Sequence, residues 1–151
     1  MKINNSDIKK LREITSCSVM DCKNALEKSN GDFQKAQNFL IKQGAIKLEK
    51  KKDRATNSGL IGSYNHNGKI GAMVEVQCET DFVAKNELFK ELVKDLAMQV
   101  AAMNPKDLKE LMTQNFIKDE SKTIKEMVDF AISKIGENIQ IVRFERFELN
   151  K

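Results

Sequence analysis

A chain of 151 residues suffices for one ordinary domain, or for a very small domain joined to a modest one. With 40% hydrophobic and 32% charged residues it can fill a core, which excludes wholesale disorder, and its longest apolar runs, such as 70–74, are far too short to span a bilayer. The 26 basic and 22 acidic residues leave a net charge of +4, enough to steer the chain toward an acidic partner but only weak support for nucleic-acid binding, which needs clustered charge.

The first fifty residues predict three short helices. Ser6 can cap a helix from Asp7, with Ile8, Leu11 and Ile14 on one face. Ser18, followed three residues later by Asp21, resembles a capping box with Asp in place of Glu, and its helix carries Cys22, Ala25 and Leu26 inward. Asn30-Gly31-Asp32 reads as a turn and then a cap for a third helix, which buries Phe33, Ala36, Phe39 and Leu40 and stops at Gly44. Helices this short are marginal alone, so they must pack as a mini-bundle. The run KLEKKKDR, Lys47 to Arg54, is the one dense basic cluster. It also holds Glu49 and Asp53 and reads as a solvated linker helix in preference to a phosphate-binding patch. The expected organisation is a three-helix domain over 1–46, a charged linker over 47–58 and an α+β core over 59–151.

A hairpin follows, with strands over Leu60–Asn65 and Lys69–Cys78. The turn His66-Asn67-Gly68 contains the Asn-Gly pair that supplies positive φ. Asn86 then caps a long helix whose apolar face runs Phe89, Leu92, Val93, Leu96, Ala97, Val100 and Met103. Asn104-Pro105 restarts a short helix, with Pro at its first position. Thr123 and Glu126 form a full capping box for a helix carrying Ile124, Met127, Val128, Ala131, Ile132 and Ile135 and ending at Gly136. The alternating segment Ile139 to Leu149, IQIVRFERFEL, is expected to join the hairpin in a small antiparallel three-stranded sheet, with the long helices on one face.

The usual signatures of chemistry are missing. The seven glycines form no phosphate-cradling loop. The single histidine, His66, sits on a hairpin tip, the wrong place for a catalytic base. Three cysteines, Cys17, Cys22 and Cys78, have no CxxC spacing, read as buried hydrophobes or free thiols, and with one histidine make no plausible zinc site. Neither an enzyme activity nor a cofactor or metal is expected. The start, MKINNSDIKK, has no apolar h-region, so no secretory signal is expected. What stands out is Cys78-Glu79-Thr80-Asp81-Phe82-Val83-Ala84, between a strand and a long helix. Phe82 there can turn inward as core, or stand out beside Asp81 as a compact wedge for a partner's pocket.

Two segments are similar to the elongation factor Ts family. LREITSCSVMDCKNAL, Leu11 to Leu26, with the NGD turn and the QGAIK that ends at Lys47, resembles the family's N-terminal three-helix domain of ubiquitin-associated type. EVQCETDFVAK, Glu75 to Lys85, resembles its most distinctive motif, and IVRFERFEL its final core strand. There are departures. Where the family often has Gly-Ala-Gly-Met-Met after the threonine, this chain has Ser16-Cys17-Ser18-Val19-Met20. About one core half is present and no coiled-coil insertion is visible, which suggests that two chains pair to rebuild the larger core.

The resemblance implies a guanine-nucleotide exchange factor whose partner is the GTPase elongation factor Tu, GDP-bound or nucleotide-free, with no direct part for nucleic acid or membrane. It implies that Thr80, Asp81, Phe82 and Val83 disturb the partner's magnesium site, with Phe82 as the wedge and Asp81 in support. Arg12, Val19 and Met20 match positions on the family's second contact surface, although Met20 alone also reads as bundle core. The implied location is cytoplasmic, in a bacterium or an organelle of bacterial descent. The rival readings are a ubiquitin-like-binding module, which leaves 59–151 unexplained, and an RNA-binding protein using Lys47 to Arg54.

Overall fold

A computed structural model describes residues 3–151. The chain divides into two units, the first ending at Lys52 and the second spanning Asp53–Lys151. The fold is α+β: three helices, then a three-stranded antiparallel sheet with helices.

In the first unit the helices are α1 (Asn5–Thr15), α2 (Val19–Lys28) and α3 (Phe33–Lys51). Each starts on a side-chain cap: Asn4 accepts from Ser6 N, Ser18 from Asp21 N and Asp32 from Lys35 N. Asn4 therefore takes the role expected of Ser6, two residues earlier. Asn is as good a cap as Ser, and Asn4 already has the extended backbone that a cap needs. The core is Leu11, Cys22, Ala25, Leu26, Ala36 and Leu40, with Ile3, Ile8, Cys17, Phe33 and Phe39 partly buried around it. Ile14, expected on the buried face with Leu11, is exposed instead. Gly44 does not stop α3. Nothing crowds it, it is not left-handed, and the helix-forming run AIKLEKK carries the helix on to Lys51 despite a local penalty of about 1 kcal/mol.

In the second unit, β1 (Ser58–His66) and β2 (Ile70–Cys78) form the expected hairpin. Asn67 and Gly68 both have positive φ, 54° and 69°, and Lys69 N–H closes the turn on the His66 carbonyl at 3.0 Å. β5 (Ile139–Glu148) pairs with β2, giving the order β1-β2-β5, with a bulge between Glu75 and Val76. Between these strands lie α4 (Asp81–Ala84), α5 (Glu87–Met103), α6 (Leu108–Thr113), the short pair β3 (Asn115–Phe116) and β4 (Asp119–Thr123), and α7 (Ile124–Ile135).

Helix α5 lies on one face of the sheet. Gly62 permits the approach, because a Cβ there would sit 2.4 Å from Val93 Cγ1. Val74 and Val76 from the sheet and Phe89, Leu96 and Val100 from α5 are fully buried. Met103, at the end of the expected apolar face, is half exposed where α5 ends on left-handed Asn104. Pro105 is buried in the connection and does not open α6; Asp107 caps that helix by accepting from Glu110 N at 2.7 Å. The β3–β4 pair, of two and five residues, is too short for its sequence to show a period. It is pinned by Gln99, a fully buried α5 side chain that accepts from Ile117 N and donates to the Asn115 carbonyl, both at 3.0 Å. The other sheet face leaves Ile61, Met73 and Phe147 exposed.

Candidate partner-binding site

At Cys78 the chain leaves β2, and Thr80 caps α4 by accepting from Val83 N at 3.3 Å. The four-residue helix has two characters. Val83 and Ala84 are buried, while Phe82 on the same turn is 82% exposed. Phe82 is therefore not core. Leaving an aromatic ring in water forgoes about 2 kcal/mol of burial, so Phe82, the most exposed large apolar side chain among the described residues, contributes little to the fold itself. Asp81 is exposed beside it and pairs with Lys85 one turn on, at 2.7 Å. This partner raises the Lys85 pKa, chiefly through the hydrogen bond.

The corner is tied to the loop between α7 and β5. Glu137 Oε2 accepts the backbone N–H groups of Glu79 at 3.1 Å and Thr80 at 3.0 Å, and its Oε1 accepts the Thr80 hydroxyl at 2.7 Å. In return, Glu79 Oε1 accepts the Asn138 backbone N–H at 2.7 Å and lies 3.6 Å from the Arg54 guanidinium. Cys78 Sγ donates to the Thr80 carbonyl at 3.2 Å, and burial pushes that thiol's pKa up. Thr80, Asp81, Phe82 and Val83 thus share one short turn, but only Phe82 offers a large apolar surface. Glu137 had no signal in the sequence beyond following the Gly136 helix stop.

Arg12, Val19 and Met20 lie in the first unit, Arg12 on α1 and the other two at the start of α2. All three are exposed, Met20 by 62%, so the bundle-core reading of Met20 fails. Ser18 sets the first turn of α2: its Oγ accepts from Asp21 N at 3.1 Å and donates to Asp21 Oδ2 at 2.9 Å. That hydrogen bond, aided by Lys47 at 3.3 Å, lowers the Asp21 pKa. The preceding residue of the α1–α2 loop to leave helical space is Ser16, held left-handed at φ 54° where the resembled family often has glycine.

His66 sits on the hairpin turn, stacked on Tyr64 and within 3.2 Å of its hydroxyl. Among the described residues no group of three or more His, Cys, Asp or Glu side chains is placed to hold a metal ion, and no helix is long and apolar enough to cross a membrane.

Comparison with known proteins places these residues in a wider setting. The model of the family described as "Elongation factor TS" matches residues 79–151. "Elongation factor Ts" of Oleidesulfovibrio alaskensis is 42% identical, over 94% of this chain and 95% of that protein. "Elongation factor Ts" of Fervidobacterium nodosum is 40% identical over the whole of both chains; its 197 aligned positions against 151 residues leave 46 without a counterpart here. A chloroplastic "Polyprotein of EF-Ts" from Oryza sativa subsp. indica is 40% identical over 95% of this chain, which spans 17% of that polyprotein.

Proposed function

Because the chain belongs to the elongation factor Ts family of translation elongation factors, we propose that it binds elongation factor Tu and drives the exchange of GDP for GTP by disturbing the partner's magnesium site. The observation that carries this reading is Phe82, 82% exposed on a turn whose other apolar side chains, Val83 and Ala84, are buried. Phe82 acts as the wedge, exposed Thr80 and Asp81 flank it in the contact segment, and Val83, buried beneath, anchors that segment to the core. Magnesium demands near-ideal octahedral geometry, so a small displacement of its supporting loops weakens it, and with it the hold on the diphosphate. Arg12, Val19 and Met20 provide a second grip, for which their exposure is suitable.

No covalent step is needed, and the protein acts as an exchange factor, not an enzyme. The coupling is reciprocal: if this protein weakens nucleotide binding, nucleotide weakens the binding of this protein by the same factor, so excess GTP displaces it. The partner is a protein, with no direct part for nucleic acid or membrane, and the site of action is the cytoplasm of a bacterium or an organelle of bacterial descent.

The test is release of a fluorescent GDP analogue from elongation factor Tu. The protein should accelerate release, and Phe82→Ala should slow it at least tenfold, the scale of a modest hot spot. No acceleration by the folded wild type sinks the reading. Two copies are also proposed to pair, and the exposed Ile61, Met73 and Phe147 give such a pair an apolar face. Sedimentation equilibrium showing only monomer at high concentration refutes that pairing.

A further inference from the structure

Four residues of helix cannot hold their own geometry in water, so α4 must be fixed from outside. Two agents do this. Val83 and Ala84 pack into the core below, but apolar packing is non-directional and sets no unique orientation for the turn above it. Direction comes from hydrogen bonds, and these converge on one carboxylate, that of Glu137.

Its two oxygens receive three donors from the corner: the N–H groups of Glu79 and Thr80 on Oε2, and the Thr80 hydroxyl on Oε1. The hydroxyl has one proton. An ionised carboxylate only accepts, so that proton points at Glu137 and leaves a lone pair for Val83 N–H, the bond that caps α4. One side chain thus fixes the exit from β2 and, through Thr80, the first turn of α4, where Phe82 stands. The return bond, from Asn138 N–H to Glu79, closes the strap from the other side.

We propose that Glu137 is the positioning residue for Phe82: its carboxylate orients the Thr80 cap so that the ring is presented in one orientation before a partner arrives. This rests on the reading of Phe82 as the wedge. A preorganised ring loses less freedom on binding, so the strap raises the rate of nucleotide release. Glu137→Ala leaves Val83 and Ala84 packed but removes the acceptor of three donors and frees the Thr80 hydroxyl to rotate. Glu137→Gln keeps the shape but replaces one acceptor with a donor, so it restores only part of the strap.

The test is a double-mutant cycle on the full chain. Release of a fluorescent GDP analogue from elongation factor Tu is measured at saturating wild type, Glu137→Ala, Phe82→Ala and the double variant, with Glu137→Gln alongside. Glu137→Ala should slow release about tenfold, the scale of lost hydrogen bonds to a charged group, with Gln intermediate. In the Phe82→Ala background the same change should add almost nothing, because both act through one ring. Thermal stability should fall equally in both backgrounds, which separates positioning from plain destabilisation. Amide hydrogen exchange at Thr80 and Val83, read without any partner, should lose at least tenfold protection in the Ala variant.

Equal slowing in both backgrounds, no slowing, or unchanged amide protection overturns the proposal. Should the Ala variant not fold, Glu137→Gln carries the same cycle. Wild-type activity that survives Phe82→Ala is instead the failure of the wedge reading, and the amide protection still tests the strap.

Discussion

Phe82 and Phe89 are seven residues apart, chemically identical, and opposite in exposure at 82% and 0%. Truncating each to alanine gives two very different expectations. Burying a whole Phe is worth about 2.5 kcal/mol, and Phe82 buries roughly a fifth of its surface, so its truncation forfeits about 0.5 kcal/mol. Alanine's better helix propensity returns a similar amount, leaving a net change near zero. Phe89 lies between α5 and the sheet, and its truncation should cost about 3–5 kcal/mol through lost transfer energy and the cavity left behind. The assay is urea unfolding followed by tyrosine fluorescence. The chain has one tyrosine and no tryptophan, and Tyr64 lies on β1, so the signal reports the second unit. A loss above about 1.5 kcal/mol for Phe82→Ala, more than its small buried fraction allows, would mean that the ring is core in solution.

Two further predictions concern the first unit. Ser16 holds φ 54°, a conformation that costs an L-residue about 1–2 kcal/mol; glycine relieves it but loses more chain entropy on folding. Ser16→Gly should therefore stabilise this unit by about 0.5–1 kcal/mol net, read as a rise of several degrees in its helical melting transition. The Asp21 carboxyl has its pKa lowered, first by Ser18 and then by Lys47. A depressed carboxylate contributes stability that is present above its unfolded value and is lost as pH falls through the folded one. The first unit should thus weaken on acidification below the ordinary aspartate range. Ser18→Ala should move the Asp21 midpoint upward in a carboxyl-carbon NMR titration, and an unmoved midpoint would exclude that hydrogen bond as the cause.

Wherever a signal repeats, the sequence was sufficient. The spacing from Phe89 to Val100 names the buried face of α5, Asn67-Gly68 names the hairpin turn, and Thr123 with Glu126 names the start of α7. Single residues were less legible because their context is tertiary. Gly44 looks like a stop, yet the helix-forming residues after it outweigh its penalty. Ile14 looks like core but is exposed, and Met20, which the sequence alone left open between bundle core and contact surface, is exposed too. The β3–β4 pair depends on Gln99, sixteen to eighteen residues away from the backbone groups it holds. The candidate site divides in the same way. The corner from Thr80 to Val83 could be found as a motif, whereas Glu137, 57 residues beyond Thr80, is visible only once the chain has folded.

The strand order has a consequence for a chain still being made. β2 is the middle strand, and its neighbour β5 is the last element of the unit. A nascent chain exposes the hairpin and Phe82 well before Glu137 or β5 has been synthesised, and long-range pairing of this kind forms late. Until translation has passed Glu137 the corner lacks its strap, and until it has passed Glu148 it lacks the completed sheet that supports it. The corner that presents Phe82 is therefore among the last parts of this unit to acquire its final geometry as the chain emerges.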